Sequence, residues 1–252
     1  DEIDEIDARV GEAEAKIDEA LATLPNLPHP DVPEGGEESN VVLATSGAPA
    51  TFDFEPKPHW DLAEALGILD LPRGAKISGS GFPVLVGRGA RLQRALIDFF
   101  LERHTTHGGY TELRVPYFVT TESLTGTGQL PKFAEDSYHA ERDDLWAIPT
   151  AEVPVTNMHR DEILEAEDLP VRYTAYSPCF RREAGAAGRD TRGLLRVHQF
   201  DKVELVRYEA EERGEAALEE MTREAEWLLD ALGLHHRRVL LATGDLGFSS
   251  AK

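Results

Sequence analysis

The sequence predicts an α+β fold: an antiparallel β-sheet flanked by helices and preceded by one long amphipathic helix. Three observations carry that expectation. Residues 171–206 contain two strand-like arms, with Tyr173, Thr174, Tyr176 and Phe180 on the first and Val197, Phe200, Val203 and Val206 on the second. Aromatic and β-branched side chains suit a pleated surface, and Gly185, Gly188 and Gly193 between the arms mark turns, which together read as a hairpin. Residues 91–104 and 215–232 each repeat apolar side chains at helical spacing. In residues 1–24, Ile3, Ile6, Val10, Ala13, Ile17, Ala20 and Leu24 alternate spacings of three and four, a heptad seam among charged residues.

Taken in order, the first helix needs a partner to cover its seam. A simple dimerisation helix would meet that need. Pro25, Pro28, Pro30 and Pro33 end it. Residues 25–58 are polar and rich in proline and glycine, a connector rather than a domain. Beyond His59 the pattern turns globular. Asp61 is placed to cap a helix through Leu66, Gly67 follows, and residues 81–86 read as a strand. The helix over 91–104 presents Leu92, Ala95, Leu96, Phe99 and Phe100 and leads through Gly108 and Gly109 into a strand at 111–115. Residues 125–133 are a turn-rich loop, and residues 147–154 are a proline-flanked loop carrying Thr150 and Glu152. After the hairpin come a helix with Leu218, Met221, Ala225, Leu228 and Leu232, then Gly233, then a short strand at 239–242.

Composition narrows the function. A single cysteine, Cys179, excludes a disulfide framework, and no Cys/His cluster has the spacing of a structural zinc site. Cys179 itself reads as a small buried strand residue, and His235–His236 as surface residues rather than ligands. No apolar run approaches membrane-spanning length, and no signal pattern opens the chain, which reads as cytoplasmic. Gly79-Ser80-Gly81 and Gly126-Thr127-Gly128 lack the rest of any nucleotide-binding glycine fingerprint. The net charge of −21 argues against nucleic acid when taken whole. It is unevenly spread, because residues 1–40 hold thirteen Asp/Glu against two Lys/Arg, or −11. A local basic site is therefore compatible with an acidic total.

The hairpin is where such a site is expected. Strand alternation puts Arg181 and Glu183 on one side of the first arm, and Arg196, His198, Phe200, Lys202 and Glu204 together on the second. Arg189 and Arg192 lie in the loop between. If the faces coincide, guanidinium groups, an aromatic plate and carboxylates share a surface that suits a nucleoside triphosphate. Residue types alone leave open a solvated ribbon of alternating charge.

The order of letters adds to this. Phe180-Arg181-x-Glu183 resembles motif 2 of the class II aminoacyl-tRNA synthetases. The string C-F-R-R-E-A-G-x-x-G-R-D-T-R-G-L-x-R-V-H-Q-F-D-K-V-E over residues 179–204 is similar to the seryl-tRNA synthetase family specifically. T-G-T-G-Q-L-P-K-F at 125–133, the Thr150-Ala151-Glu152 triplet, and a motif-1-like helix–strand–proline unit ending at Pro116 stand in the family's order. The resemblance implies a class II synthetase-type sheet. It implies a remnant of a tRNA-binding coiled-coil arm over 1–40, a connector over 41–58 and a partial catalytic domain over 59–252. It also implies serine activation by ATP and transfer to tRNA(Ser), with Mg2+ as cofactor and a homodimer through the motif-1-like unit.

By the same resemblance ATP is held by Arg181, Arg182, Glu183, Arg196, Val197 and Phe200, with Arg181 and Glu183 catalytic. Serine is held by Thr150, Ala151, Glu152, Arg181 and Glu204. Arg181 would grip the α-phosphate, Glu183 the adenine amine and Arg196 the outer phosphates, while Phe200 stacks on adenine. The family's outgoing arm helix and its motif 3, with a metal-binding carboxylate, find no match in these residues. The expectation is thus a hairpin forming one wall of a site whose other wall is elsewhere, with weak activity for these residues alone. Two alternatives stand beside it: a synthetase-like scaffold without chemistry, and an amino-acid:carrier-protein ligase.

Overall fold

The computed structural model describes residues 2–184 and 192–252, so the readings made for Gly185, Gly188 and Arg189 lie outside the described residues. The chain opens with α1 (Glu2–Leu21), which stops short of the predicted Leu24. A residue before proline is pushed out of helical geometry, and a turn precedes Pro25, with Thr23 Oγ1 donating back to Ala20 O at 2.8 Å. Ile6, Val10, Ile17 and Leu24 of the seam are exposed.

The stretch expected to be a plain connector holds a strand. β1 (Val41–Ser46) pairs antiparallel with residues 236–240, far along the chain. The residues before it also run beside the final segment. Asn26 N–H donates to Phe248 O (2.9 Å), His29 N–H to Ala251 O (2.7 Å) and Thr243 N–H to Pro33 O (2.9 Å). Asn40 Nδ2 reaches Asp245 Oδ2 at 2.7 Å.

α2 (His59–Ala65) starts after Pro58, so Asp61 is a first-turn residue rather than the cap. A carboxylate there still favours the positive end of the helix. β2 (Leu69–Asp70) leads into α3 (Leu71–Ser78), whose cap is Asp70, accepting from Arg73 N–H at 2.9 Å. β3 (Val84–Leu85) pairs with β2 and is shorter than the predicted strand. α4 (Arg88–Thr106) then crosses to β4 (Thr111–Leu113). A small antiparallel sheet follows, built from β5 (Phe118–Thr120), β6 (Tyr138–Ala140) and β7 (Leu145–Ala147), with α5 (Thr121–Gly126) between its first two strands. α6 (Glu152–Thr156) begins at the glutamate that was expected in a loop.

The hairpin is β8 (Val171–Phe180) and β9 (Gln199–Tyr208), paired antiparallel in unbroken register from Val171↔Tyr208 to Phe180↔Gln199. Its arms differ at the tip from those predicted, because pairing ends at Phe180 and begins at Gln199. β4 adds to the other edge of β8, but parallel, so the sheet is mixed rather than wholly antiparallel. α7 (Gly214–Ala231) and β10 (His236–Leu240) close the order.

α4 packs on the hairpin. α7 joins α4 through Trp227, whose ring stacks on Phe99 at 6.0 Å while the Arg103 guanidinium sits 4.0 Å above it. One buried cluster, Val115, Ala151, Val155 and Ala175, lies between α6 and β8. Val119, Leu124, Leu130, Ile148 and Val153 form a second under the small sheet. Burying an aliphatic side chain stabilises by roughly 1.5–3 kcal/mol, so these two clusters hold the 147–156 segment against the hairpin. Among the described residues no helix is long and apolar enough to cross a membrane.

Candidate active site

A cavity of about 830 Å3 opens between the hairpin tip, the 147–152 segment and the end of the chain. Arg181, Glu183, Arg196 and Lys202 line it from the hairpin, Thr150 and Glu152 from the turn into α6, and Gln129, Phe133 and Asp136 from the loop before β6. Gly247, Phe248 and Ser249 complete it. The final segment thus adds lining to that of the hairpin, and its hydrogen bonds to residues 26–35 hold it in place. The Lys132 ammonium lies 4.6 Å from the Phe248 ring, fixing that side chain to the 125–133 loop.

The cavity has two electrostatic ends. At the hairpin tip, Arg196 Nη1 pairs with Glu183 Oε2 at 2.6 Å. The Arg181 guanidinium rests 5.1 Å from the centre of the Phe200 ring. Glu183 reaches this position with φ of 52°, a left-handed conformation unusual for a non-glycine residue and one that stores strain. Nearby backbone groups fix the limb: Arg182 N–H donates to Asp136 O (2.8 Å), Ala184 N–H to Asp136 Oδ1 (2.8 Å), and Arg181 N–H to His198 O (3.0 Å).

At the other end, the Thr150 hydroxyl is buried. It donates to Glu204 Oε2 (2.5 Å) and accepts from Lys202 Nζ (2.8 Å) and Glu152 N–H (3.2 Å). Lys202 Nζ also pairs with Glu204 Oε2 at 2.5 Å. The Glu152 carboxylate has no hydrogen-bond or ion-pair partner among the described residues. Burial first, and the nearby Glu204 charge second, push its pKa above the usual carboxylate range, with Lys202 opposing.

The sequence-predicted residues therefore divide. Arg181, Glu183, Arg196, Thr150 and Glu152 meet in the cavity, with Phe200 under Arg181 and Glu204 behind Thr150. Ala151 is a fully buried core residue outside the lining. Arg182 is exposed and enters through its amide, and Val197 is half-buried outside the lining. His198 does not join the face expected for it. It precedes the paired strand, donates its N–H to Gly81 O at 2.8 Å and stacks on Phe82 at 5.4 Å. Arg192 likewise points to Trp60, 5.2 Å from its ring. Cys179 is buried, and burial raises its thiol pKa, so it is inert as a nucleophile. His235 Nδ1 lies 2.9 Å from Ser46 O, and His236 sits 3.9 Å from Asp230.

Sequence reasoning passed over Asp136 and residues 247–249. Alternation along a strand carries no information about lining contributed by loops distant in the chain. Lys202 was legible through its alternation with Phe200 and Glu204.

Comparison with known proteins bears on this geometry. Residues 134–252 match the family model described as tRNA synthetase class II core domain (G, H, P, S and T). The chain is 56% identical to a serine--tRNA ligase of Geobacillus kaustophilus (strain HTA426), covering 100% of this chain and 60% of that protein. It is 58% identical to one from Gemmatimonas aurantiaca, with 100% and 59% covered. The chain thus spans about 60% of the length of the curated relatives it matches. Among solved structures, seryl-tRNA synthetase from Pyrococcus horikoshii complexed with ATP superposes with a TM-score of 0.94 at 40% identity, covering 99% of this chain and 60% of that one. The cytoplasmic serine-tRNA ligase from Naegleria fowleri, in complex with AMP, gives 0.90 at 28% identity, with 97% and 58% covered.

Proposed function

From the chain's membership of the class II seryl-tRNA synthetase family, we propose that the cavity takes serine and ATP for the reaction of a serine--tRNA ligase. The observation that carries this reading is the pair of unlike ends in one cavity. Glu152 is a half-buried carboxylate with no paired cation among the described residues, and a substrate ammonium would fill that place. Arg181 and Arg196, at the other end, suit phosphate oxygens. The volume of about 830 Å3 lies in the range of small-molecule sites, roughly 300–1,000 Å3.

In the proposed reaction a serine carboxylate oxygen attacks the α-phosphorus of ATP. The bond to the bridging oxygen breaks and pyrophosphate leaves. The terminal hydroxyl of tRNA(Ser) then attacks the seryl carbonyl, and AMP leaves with the former carboxylate oxygen. Neither step calls for a protein nucleophile, so positioning and charge do the work. Glu152 orients the ammonium, and Thr150 and Glu204 receive the serine hydroxyl. Arg181 leaves the Phe200 face for the α-phosphate as adenine stacks on that ring. Glu183 and Arg196 separate, one to the adenine amine and the other to the outer phosphates.

Mg2+ belongs to the same reading as the counter-ion of the nucleotide. No group of three or more His, Cys, Asp or Glu among the described residues is arranged to hold a metal ion, so the ion is assigned to the triphosphate and no step runs through it. tRNA(Ser) as acceptor, a homodimer through α4 and β4, and a cytoplasmic location complete the proposal.

Calorimetric titration of the chain with ATP, with and without L-serine, tests it. ATP should bind, serine should tighten that binding, and Arg181→Ala should abolish the heat. An Arg181→Ala variant that binds ATP as the parent does refutes the assignment.

A further inference from the structure

We propose that Lys202 is the positioning residue of the amino-acid end: it pairs with Glu204 and locks it to Thr150, leaving Glu152 as the one lining carboxylate among the described residues open to an ammonium. This rests on the reading of the cavity as an amino-acid site.

The argument begins with the sheet. Alternation on β9 puts Lys202 and Glu204 on one face, opposite Ser177 and Ala175 of β8. Those two partners are small and fully buried, so the long side chains of β9 lie over them and reach Thr150. Proton bookkeeping at the Thr150 hydroxyl then has one solution. An ammonium and a backbone amide both point N–H groups at Oγ1, at 2.8 Å from Lys202 and 3.2 Å from Glu152. Oγ1 accepts from both, so its single proton goes to Glu204 Oε2, 2.5 Å away. Lys202 thereby fixes the direction of the threonine hydroxyl as well as pairing with Glu204 directly at 2.5 Å.

Charge counting gives the same result. Two carboxylates and one ammonium leave a net −1, which a single substrate ammonium neutralises. Among the described residues, the other charged groups that line the cavity are engaged at its far end. Glu183 and Arg196 pair with each other, Arg181 lies on Phe200, and Asp136 accepts from Ala184 N–H. Cys179 remains a thiol. Without Lys202, Glu152 and Glu204 stand as like charges in a half-buried pocket, and one of them takes up a proton.

The test compares the wild-type chain with Lys202→Met, Lys202→Gln and Lys202→Arg. Carbon-13 NMR follows the Glu152 and Glu204 carboxylates, and calorimetry follows L-serine binding with ATP present, from about pH 6 to about pH 9. In Lys202→Met and Lys202→Gln, one carboxylate should titrate about one pH unit or more higher than in wild type. Serine affinity should fall about tenfold per pH unit below that midpoint and recover above it. Lys202→Arg should keep the wild-type titration. Unmoved carboxylates in both neutral variants, or a serine defect of equal size at every pH, would overturn the proposal. A wild-type chain that binds no serine would overturn the proposed function, and the carboxylate titrations would still decide what Lys202 does.

Discussion

Replacing Thr150 by valine removes one oxygen and leaves the shape of the side chain nearly unchanged. Thr150 is 4% exposed, and its hydroxyl takes part in three hydrogen bonds, to Glu204, from Lys202 and from the Glu152 amide. A bond to a charged group contributes about 1.5–3 kcal/mol, and leaving a buried N–H unpaired costs about 1–3 kcal/mol. The loss is bounded above because Lys202 and Glu204 keep their own contact at 2.5 Å. The expected destabilisation of Thr150→Val is therefore about 2–4 kcal/mol. Urea unfolding at neutral pH, followed by the fluorescence of Trp146, measures it. Thr150→Ser, which keeps the hydroxyl, should recover most of the loss. A valine variant within about 0.5 kcal/mol of the parent, or a serine variant as unstable as the valine one, would refute the hydrogen-bond account.

Three further outcomes follow from the same geometry. Glu152 has a raised pKa in the folded chain, so its contribution to stability is present at acid pH and lost as pH rises through the folded value. Glu152→Gln should therefore unfold at higher urea than the parent at about pH 8 and at the same urea at about pH 4; lower stability at the alkaline pH would contradict this. Gly193 has a φ of 71°, and an added Cβ would run into the His59 ring at Nε2, so Gly193→Ala should cost about 1–3 kcal/mol in thermal unfolding; an unchanged melting temperature would count against it. Tyr110 is buried and donates to Glu224 Oε2 at 2.7 Å, so Tyr110→Phe should lose about 1–3 kcal/mol in the same assay, and a neutral result would remove this tie between the α4–β4 connection and α7.

How much of this was legible depended on how far apart the informative residues lie. The hairpin is a local object whose arms carry their own alternation, although the register that pairs Ala175 with Glu204 is set by the structure. His198 was misplaced because the alternation was extended past the point where pairing stops. The backbone turns between Arg196 and Gln199, and Phe82 supplies a stacking partner that no local pattern announces. β1 was missed for a related reason. Val41, Val42 and Leu43 form an apolar run without strand alternation, and the strand that pairs with it begins at His236. The parallel direction of β4 is likewise a property of the tertiary path, not of Thr111–Leu113. Within the site, Thr150, Glu152, Arg181 and Glu204 were named from a family-like order of letters. That the free carboxylate is Glu152, and that Glu183 is held by Arg196, are facts of distance that letters do not contain.

The hydrogen bonds from Asn26 to Phe248 and Ser249 give α1 a mechanical meaning. Twenty residues of helix at about 1.5 Å each make a rod of roughly 30 Å. Its root is a short turn bolted to the lip of the cavity. A tilt of about ten degrees at that root sweeps the far tip by about 5 Å on such a rod. A load on the N-terminal turns of α1 would therefore reach Phe248 and Ser249 through the Asn26 hydrogen bonds.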